Sequence, residues 1–124
     1  MGLKMRTKLI AIWLLCLMAR SAQADPATIV AAKANAVGSA WTFSVTLNHG
    51  DTGWDDYADG WRVVGPDGHV LGTRTLFHPH VNEQPFTRSL SNVEVPGDMN
   101  TVFIEASTNV EGWGKTRFPL KLPR

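Results

Sequence analysis

Two histidines flank a single proline at His78-Pro79-His80, and Glu83 follows three residues later in His-Pro-His-Val-Asn-Glu-Gln-Pro. Proline fixes its own φ and holds the residue before it extended. In extended chain, residues two apart face the same side. The spacing therefore predicts that the His78 and His80 imidazoles can converge on one point, with Glu83 adding an oxygen. Two nitrogens and a carboxylate suit Zn²⁺ or Cu²⁺. His49 and His69 are further candidates for such a site. The same residues also read as a rigid, proline-bracketed loop whose histidines bond to backbone groups. Both readings stand at this point.

A second segment, Asp51-Thr52-Gly53-Trp54-Asp55-Asp56-Tyr57-Ala58-Asp59-Gly60-Trp61, packs four carboxylates and three aromatics into eleven residues. Such a loop can hold Ca²⁺ through oxygen ligands, but it lacks the alternate acidic spacing of an EF-hand loop. Its aromatics suggest another use. Trp54 and Tyr57, joined by Trp113 from a later loop and flanked by Asp55 and Asp59, can form a stacking surface for a sugar or peptide. Alternatively the aromatics plug one end of the fold while the aspartates cap turns and pair with Arg62, Arg74 or Arg88. Arg88 lies between Thr87 and Ser89 in Gln-Pro-Phe-Thr-Arg-Ser. If it points inward it needs a carboxylate partner, and the Asp55–Asp59 cluster is the expected donor.

Catalysis finds no comparable pattern. There is no G-x-S-x-G nucleophile elbow and no H-E-x-x-H helix. The acidic residues crowd into one loop, which assigns no separate acid and base. The expectation is a non-catalytic protein without a cofactor, Zn or Cu excepted.

These segments need a scaffold, and the chain between them alternates with period two. In Trp41-Thr42-Phe43-Ser44-Val45-Thr46-Leu47 the apolar residues occupy alternate positions, as in a half-buried strand. Val102, Ile104 and Ala106 repeat the pattern with Glu105 outward, as do Phe118, Leu120 and Leu122 with Arg117 and Lys121 outward. Pro119 places that last strand on an edge. Gly65-Pro66-Asp67-Gly68 marks a hairpin turn. Seven strands are expected, near residues 27–37, 40–48, 60–64, 69–77, 86–95, 101–108 and 115–122. That count in about 100 residues predicts an all-β, antiparallel β-sandwich of immunoglobulin or fibronectin type III kind, with Trp61 as the buried tryptophan of the third strand. A small β-barrel is the alternative.

The N-terminus reads as an address. Lys4, Arg6 and Lys8 precede the apolar run Leu9–Ala19, and Ala22-Gln23-Ala24 offers a small-x-small cleavage site. The run is about half the ~20 residues that span a bilayer. A secretory signal peptide over residues 1–24 and a single domain over 25–124 are expected, in the periplasm or secreted. Cys16 raises a lipoprotein reading, but Leu14 and Leu15 precede it where a small residue is wanted. Removing residues 1–24 leaves eight Lys and Arg against 11 Asp and Glu, a formal net charge of −3, and no cysteine. Disulfides, thiolate chemistry and cysteine-ligated metals are then excluded. No basic run remains to grip nucleic acid, and no membrane span is expected in the mature chain.

The combination Thr52-Gly53-Trp54-Asp55, Tyr57-Ala58-Asp59, the stretch Val64 to Leu71, and His78-Pro79-His80-Val81 through Pro85-Phe86-Thr87-Arg88 resembles a family of small, uncharacterised exported bacterial proteins. The resemblance covers roughly Trp41 to Trp113 and implies export without implying an activity. A looser similarity links the chain to periplasmic copper-carrier sandwiches. Those use an N-terminal histidine or methionine-rich loops, whereas Met99 is the single methionine after residue 24. The expected function is an exported binding or accessory module for a protein, peptide or glycan. Metal binding is the rival.

Overall fold

The structure, a computed structural model, describes Gly2 and residues 25–124. The expected leader at residues 1–24, with Cys16, lies outside the described residues apart from Gly2. Strands β1 (Thr28–Val37) and β2 (Ala40–Asn48) form a hairpin. Gly38 turns it with φ of 61°, a conformation that costs glycine little. The alternation in β2 does what its pattern predicts. Trp41, Phe43, Val45 and Leu47 are buried, and each large side chain removed from water contributes about 1.5–3 kcal/mol.

Next come β3 (Ala58–Val64) and β4 (Val70–Thr75), joined by the predicted Gly65–Gly68 turn. The Gly68 amide donates to the Gly65 carbonyl (2.9 Å), and the Asp67 carboxylate accepts from the His69 amide (3.0 Å). The chain continues through β5 (Phe86–Val93), β6 (Thr101–Thr108), β7 (Gly112–Trp113) and β8 (Phe118–Lys121). One antiparallel sheet has the order β1-β2-β5. The other has the order β4-β3-β6, with β7 and β8 both pairing with β6. The sheets face each other across one apolar cluster that includes Phe43, Val45, Leu47, Trp61, Val63, Val102 and Ile104. The fold is thus the expected sandwich, with Trp61 fully buried on the third strand, and it does not close into a barrel. Among the described residues no helix is long and apolar enough to cross a membrane.

The last strand departs from expectation. The strand expected near residues 115–122 is observed over Phe118–Lys121 only, and the two-residue β7 ahead of it makes eight strands where seven were expected. Ser107 and Thr108 pair with Trp113 and Gly112, and Ile104 pairs with Phe118. Between these pairings Gly114–Arg117 bows outward opposite Glu105 and Ala106. The Gly114 amide reaches the Ala106 carbonyl at 2.8 Å before the chain leaves the sheet. Gly112 and Trp113 continue the sheet although glycine flanks the tryptophan on both sides.

The polar faces of the two sheets differ. On β2 and β5, Ser44 meets Ser89 (2.8 Å) and Thr46 meets Thr87 (2.7 Å), hydroxyl to hydroxyl. On β3 and β6, Glu105 points outward as expected but is buried. It accepts hydrogen bonds from the Nε atoms of Arg62 (2.8 Å) and Arg117 (3.1 Å), and the Arg62 guanidinium lies 4.0 Å from the centre of the Trp113 ring.

Candidate functional site

The β2–β3 loop (residues 49–57), the β4–β5 loop (76–85) and the β6–β7 turn (109–111) leave strand ends that lie at one end of the sandwich. The two segments singled out by their chemistry are the first two of these loops. They meet on Asp51, whose side chain is fully buried. Its Oδ1 accepts from His49 Nδ1 (2.6 Å) and from the Ala58 amide (3.0 Å). Its Oδ2 accepts from the His80 amide (2.8 Å). One carboxylate therefore joins both loops and the start of β3. Charge-assisted bonds of this kind are roughly twice as strong as neutral ones.

His49 extends the junction. Its amide donates to Gln84 Oε1 (2.9 Å), and Gln84 Nε2 donates to the His80 carbonyl (3.0 Å). The second ring nitrogen of His49 lies 2.9 Å from the Asp25 carbonyl and 3.6 Å from Asp56 Oδ1. Both ring nitrogens of His49 face oxygen atoms. Asn109 ties in the third loop. Its side chain accepts from the Tyr57 amide (2.8 Å) and donates to the Trp54 carbonyl (2.9 Å), while its own amide reaches the Tyr57 carbonyl (3.1 Å).

The predicted metal residues sit on this junction. His78 and His80 are neighbours, with ring centres 4.7 Å apart. His80 is buried and stacks on Phe86 at 4.0 Å. Its Nε2 accepts from Arg88 (3.0 Å), so the ring is neutral with its proton on Nδ1. Burial lowers its pKa below the ordinary 6.5, and the charges of Arg88 and His78 push the same way against Glu83 and Asp51. Nδ1 has no protein partner, and His78 Nδ1 lies 3.1 Å from the Pro79 carbonyl. Glu83 is exposed and faces Arg88 at 3.5 Å. Among the described residues no group of three or more His, Cys, Asp or Glu is arranged to hold a metal ion. Metal binding draws no support from this geometry.

Arg88 does point inward, beside Val45 on the neighbouring strand. Its expected partner is corrected, however. It does not reach the Asp55–Asp59 cluster. It bonds His80, the Thr87 carbonyl (2.7 Å) and, more distantly, Glu83. It sits at the open edge of β5, where the 78–83 loop comes closer than the acidic loop. Arg62 likewise pairs with Glu105 instead of an aspartate.

The aromatics divide. Trp54 and Tyr57 meet edge to face, 5.7 Å between centres, and Trp54 is 66% exposed. Trp113 is occupied under Arg62 and beside Gly60 on the outer face of the other sheet. Instead, Phe77 (74% exposed), Val81 and Val110 are the large apolar groups exposed on the same three loops. Phe77 carried no signal beyond its place at a predicted strand end. His49, Gln84 and Asn109, which hold the loops, gave none as a set, because their partners are up to 55 residues away.

No family model matches the chain, and no solved structure matches it. It is similar to a protein of Halomicrobium mukohataei named "Putative lipoprotein", at 44% identity over 80 residues. The match covers 64% of this chain and 39% of that protein, so the chain spans well under half the length of this relative.

Proposed function

We propose that the chain is an exported, non-catalytic binding module whose partner-binding surface is the loop end of the sandwich. One observation carries this reading. Trp54 and Phe77 are strongly exposed on loops that a buried hydrogen-bonded junction ties together. Exposed aromatics are expensive in water and are used as anchors where a partner covers them. Such a junction reduces the ordering cost of that contact. The relative named a lipoprotein supports export, as does the sequence of residues 1–24. A protein partner suits four separate apolar contacts on three loops better than a small ligand does.

Photo-crosslinking in the source cell tests this. A benzophenone amino acid placed at Trp54 or Phe77 is expected to give a discrete protein adduct, and one at Thr73 on the sheet face to give none. Equal adducts at all three positions, or none at the loop positions, would reject the reading. The free face of Trp54 also favours a second reading, sugar stacking. That reading predicts quenching of tryptophan fluorescence by a glycan panel and its loss in Trp54→Ala.

A further inference from the structure

The sandwich has a second feature, beside the loop end and lined by different residues from Trp54 and Phe77. Along the edge where β1 faces β8 lies an open cavity of about 610 Å³. Its origin is visible in the chain. Gly114–Arg117 bows away from β6, and the contact of the Asp25 carbonyl with His49 fixes the start of the opposite wall, Pro26–Ile29. Between these walls the core is incompletely covered. Ala27, Ile29 and Phe118 pack against it but stay partly open, and Trp113 and Ala106 complete the lining. A volume in the range of ~300–1,000 Å³ with a mostly apolar lining is that of a small-molecule site.

The mouth is polar and its charge is biased. Lys115, Glu111 and Arg117 line it, and the Arg117 guanidinium is turned to Glu105 and the Pro66 carbonyl. Lys115 has no ion pair among the described residues. Arg117 shares Glu105 with Arg62, so two guanidiniums face one carboxylate. This positive edge belongs to a domain whose formal charge is −3, with Asp51, Asp55, Asp56, Asp59 and Glu83 on the two long loops.

We propose that this cavity binds an amphiphile made of one apolar chain and a terminal anionic group, of fatty-acid type. The chain lies between Ile29 and Phe118 and the anion meets Lys115. A neutral chain forgoes the charge at the mouth, and a cationic one opposes it. The site is independent of the loop-end reading.

Titration of the protein with dodecanoate, below its micelle concentration, tests this by tryptophan fluorescence and two-dimensional NMR. Saturable shifts are expected at the Trp113 indole, Ile29 and Phe118. Dodecanol should bind more weakly and dodecylammonium more weakly still. Lys115→Glu lies on the exposed bow and should lower dodecanoate affinity by about tenfold, a change of ~1.4 kcal/mol, leaving dodecanol unaffected. Ala27→Phe, which fills one wall, should abolish binding of both. The Trp54→Ala/Phe77→Ala double variant should bind dodecanoate normally, which separates this site from the loop end. Absence of saturable shifts at these three residues overturns the proposal. So does equal affinity for the three probes, or a Lys115→Glu protein that binds dodecanoate unchanged.

Discussion

Replacing Asp51 with asparagine changes one atom at the centre of the loop junction. The carboxylate accepts three hydrogen bonds from groups with no access to water: the His49 ring, the Ala58 amide and the His80 amide. Asparagine keeps one acceptor oxygen. Whichever way the amide is turned, its NH₂ then faces at least one donor. A hydrogen bond to a charged group contributes about 1.5–3 kcal/mol, and a stranded buried donor costs about 1–3. The expected loss is about 2–4 kcal/mol, against a total stability of about 5–15 for a domain of this size. At about 4–8 °C per kcal/mol, the melting temperature should fall by at least ~8 °C. Urea unfolding of the protein measures this directly. The midpoint should fall with the slope unchanged, since the same surface is exposed. A midpoint for Asp51→Asn within about 0.5 kcal/mol of the parent, the range of ordinary surface substitutions, would refute the view that Asp51 organises both loops.

Other outcomes follow from the same geometry. Trp54→Ala and Phe77→Ala should each change stability by less than about 0.5 kcal/mol, because neither side chain is buried; a larger loss in thermal melts would show that they serve the core. Because the folded pKa of His80 is lowered, the unfolded chain takes up its proton first, and stability present above pH 6.5 should be lost as pH falls through that value. Urea midpoints from pH 8 to 5 measure the slope, and His80→Phe should flatten it. Gly68 has φ of 86° and an added Cβ would meet Arg117 at 2.9 Å, so Gly68→Ala should cost about 1–2 kcal/mol in denaturant titrations. Calorimetry with Zn²⁺ or Cu²⁺ should show heats at background, while micromolar binding lost in His78→Ala/His80→Ala would establish a metal site after all.

Local information was enough for the scaffold. Period-two alternation placed Trp41–Leu47 and Val102–Ala106 with the correct faces inward, because a strand's side-chain period depends on nothing beyond the strand. Pro119 marked an edge for the same reason, and the Gly65–Gly68 turn followed from its residue types. The pairing of Gly112–Trp113 with β6 was not legible. It depends on where β6 offers partners, a property of another segment. The candidate site was legible in part. His80, Asp51, Trp54 and Arg88 stood out by type, yet their partners are set by which loops share an end of the sandwich. Arg88 shows this best, since its inward direction was foreseeable and its partner was not. Phe77 and Asn109 have neutral local contexts, and their roles exist only in three dimensions.

The bond from the Asp25 carbonyl to His49 has a practical corollary. It holds Asp25 at the end that carries Trp54 and Phe77. The C-terminal residue is fastened elsewhere, with Arg124 donating to the Pro96 and Met99 carbonyls in the β5–β6 connection. Asp25 and Arg124 therefore lie at opposite poles of the sandwich. A surface linker placed after Arg124 presents the aromatic loops outward, and array, display or pull-down experiments on this protein gain a defined orientation from it.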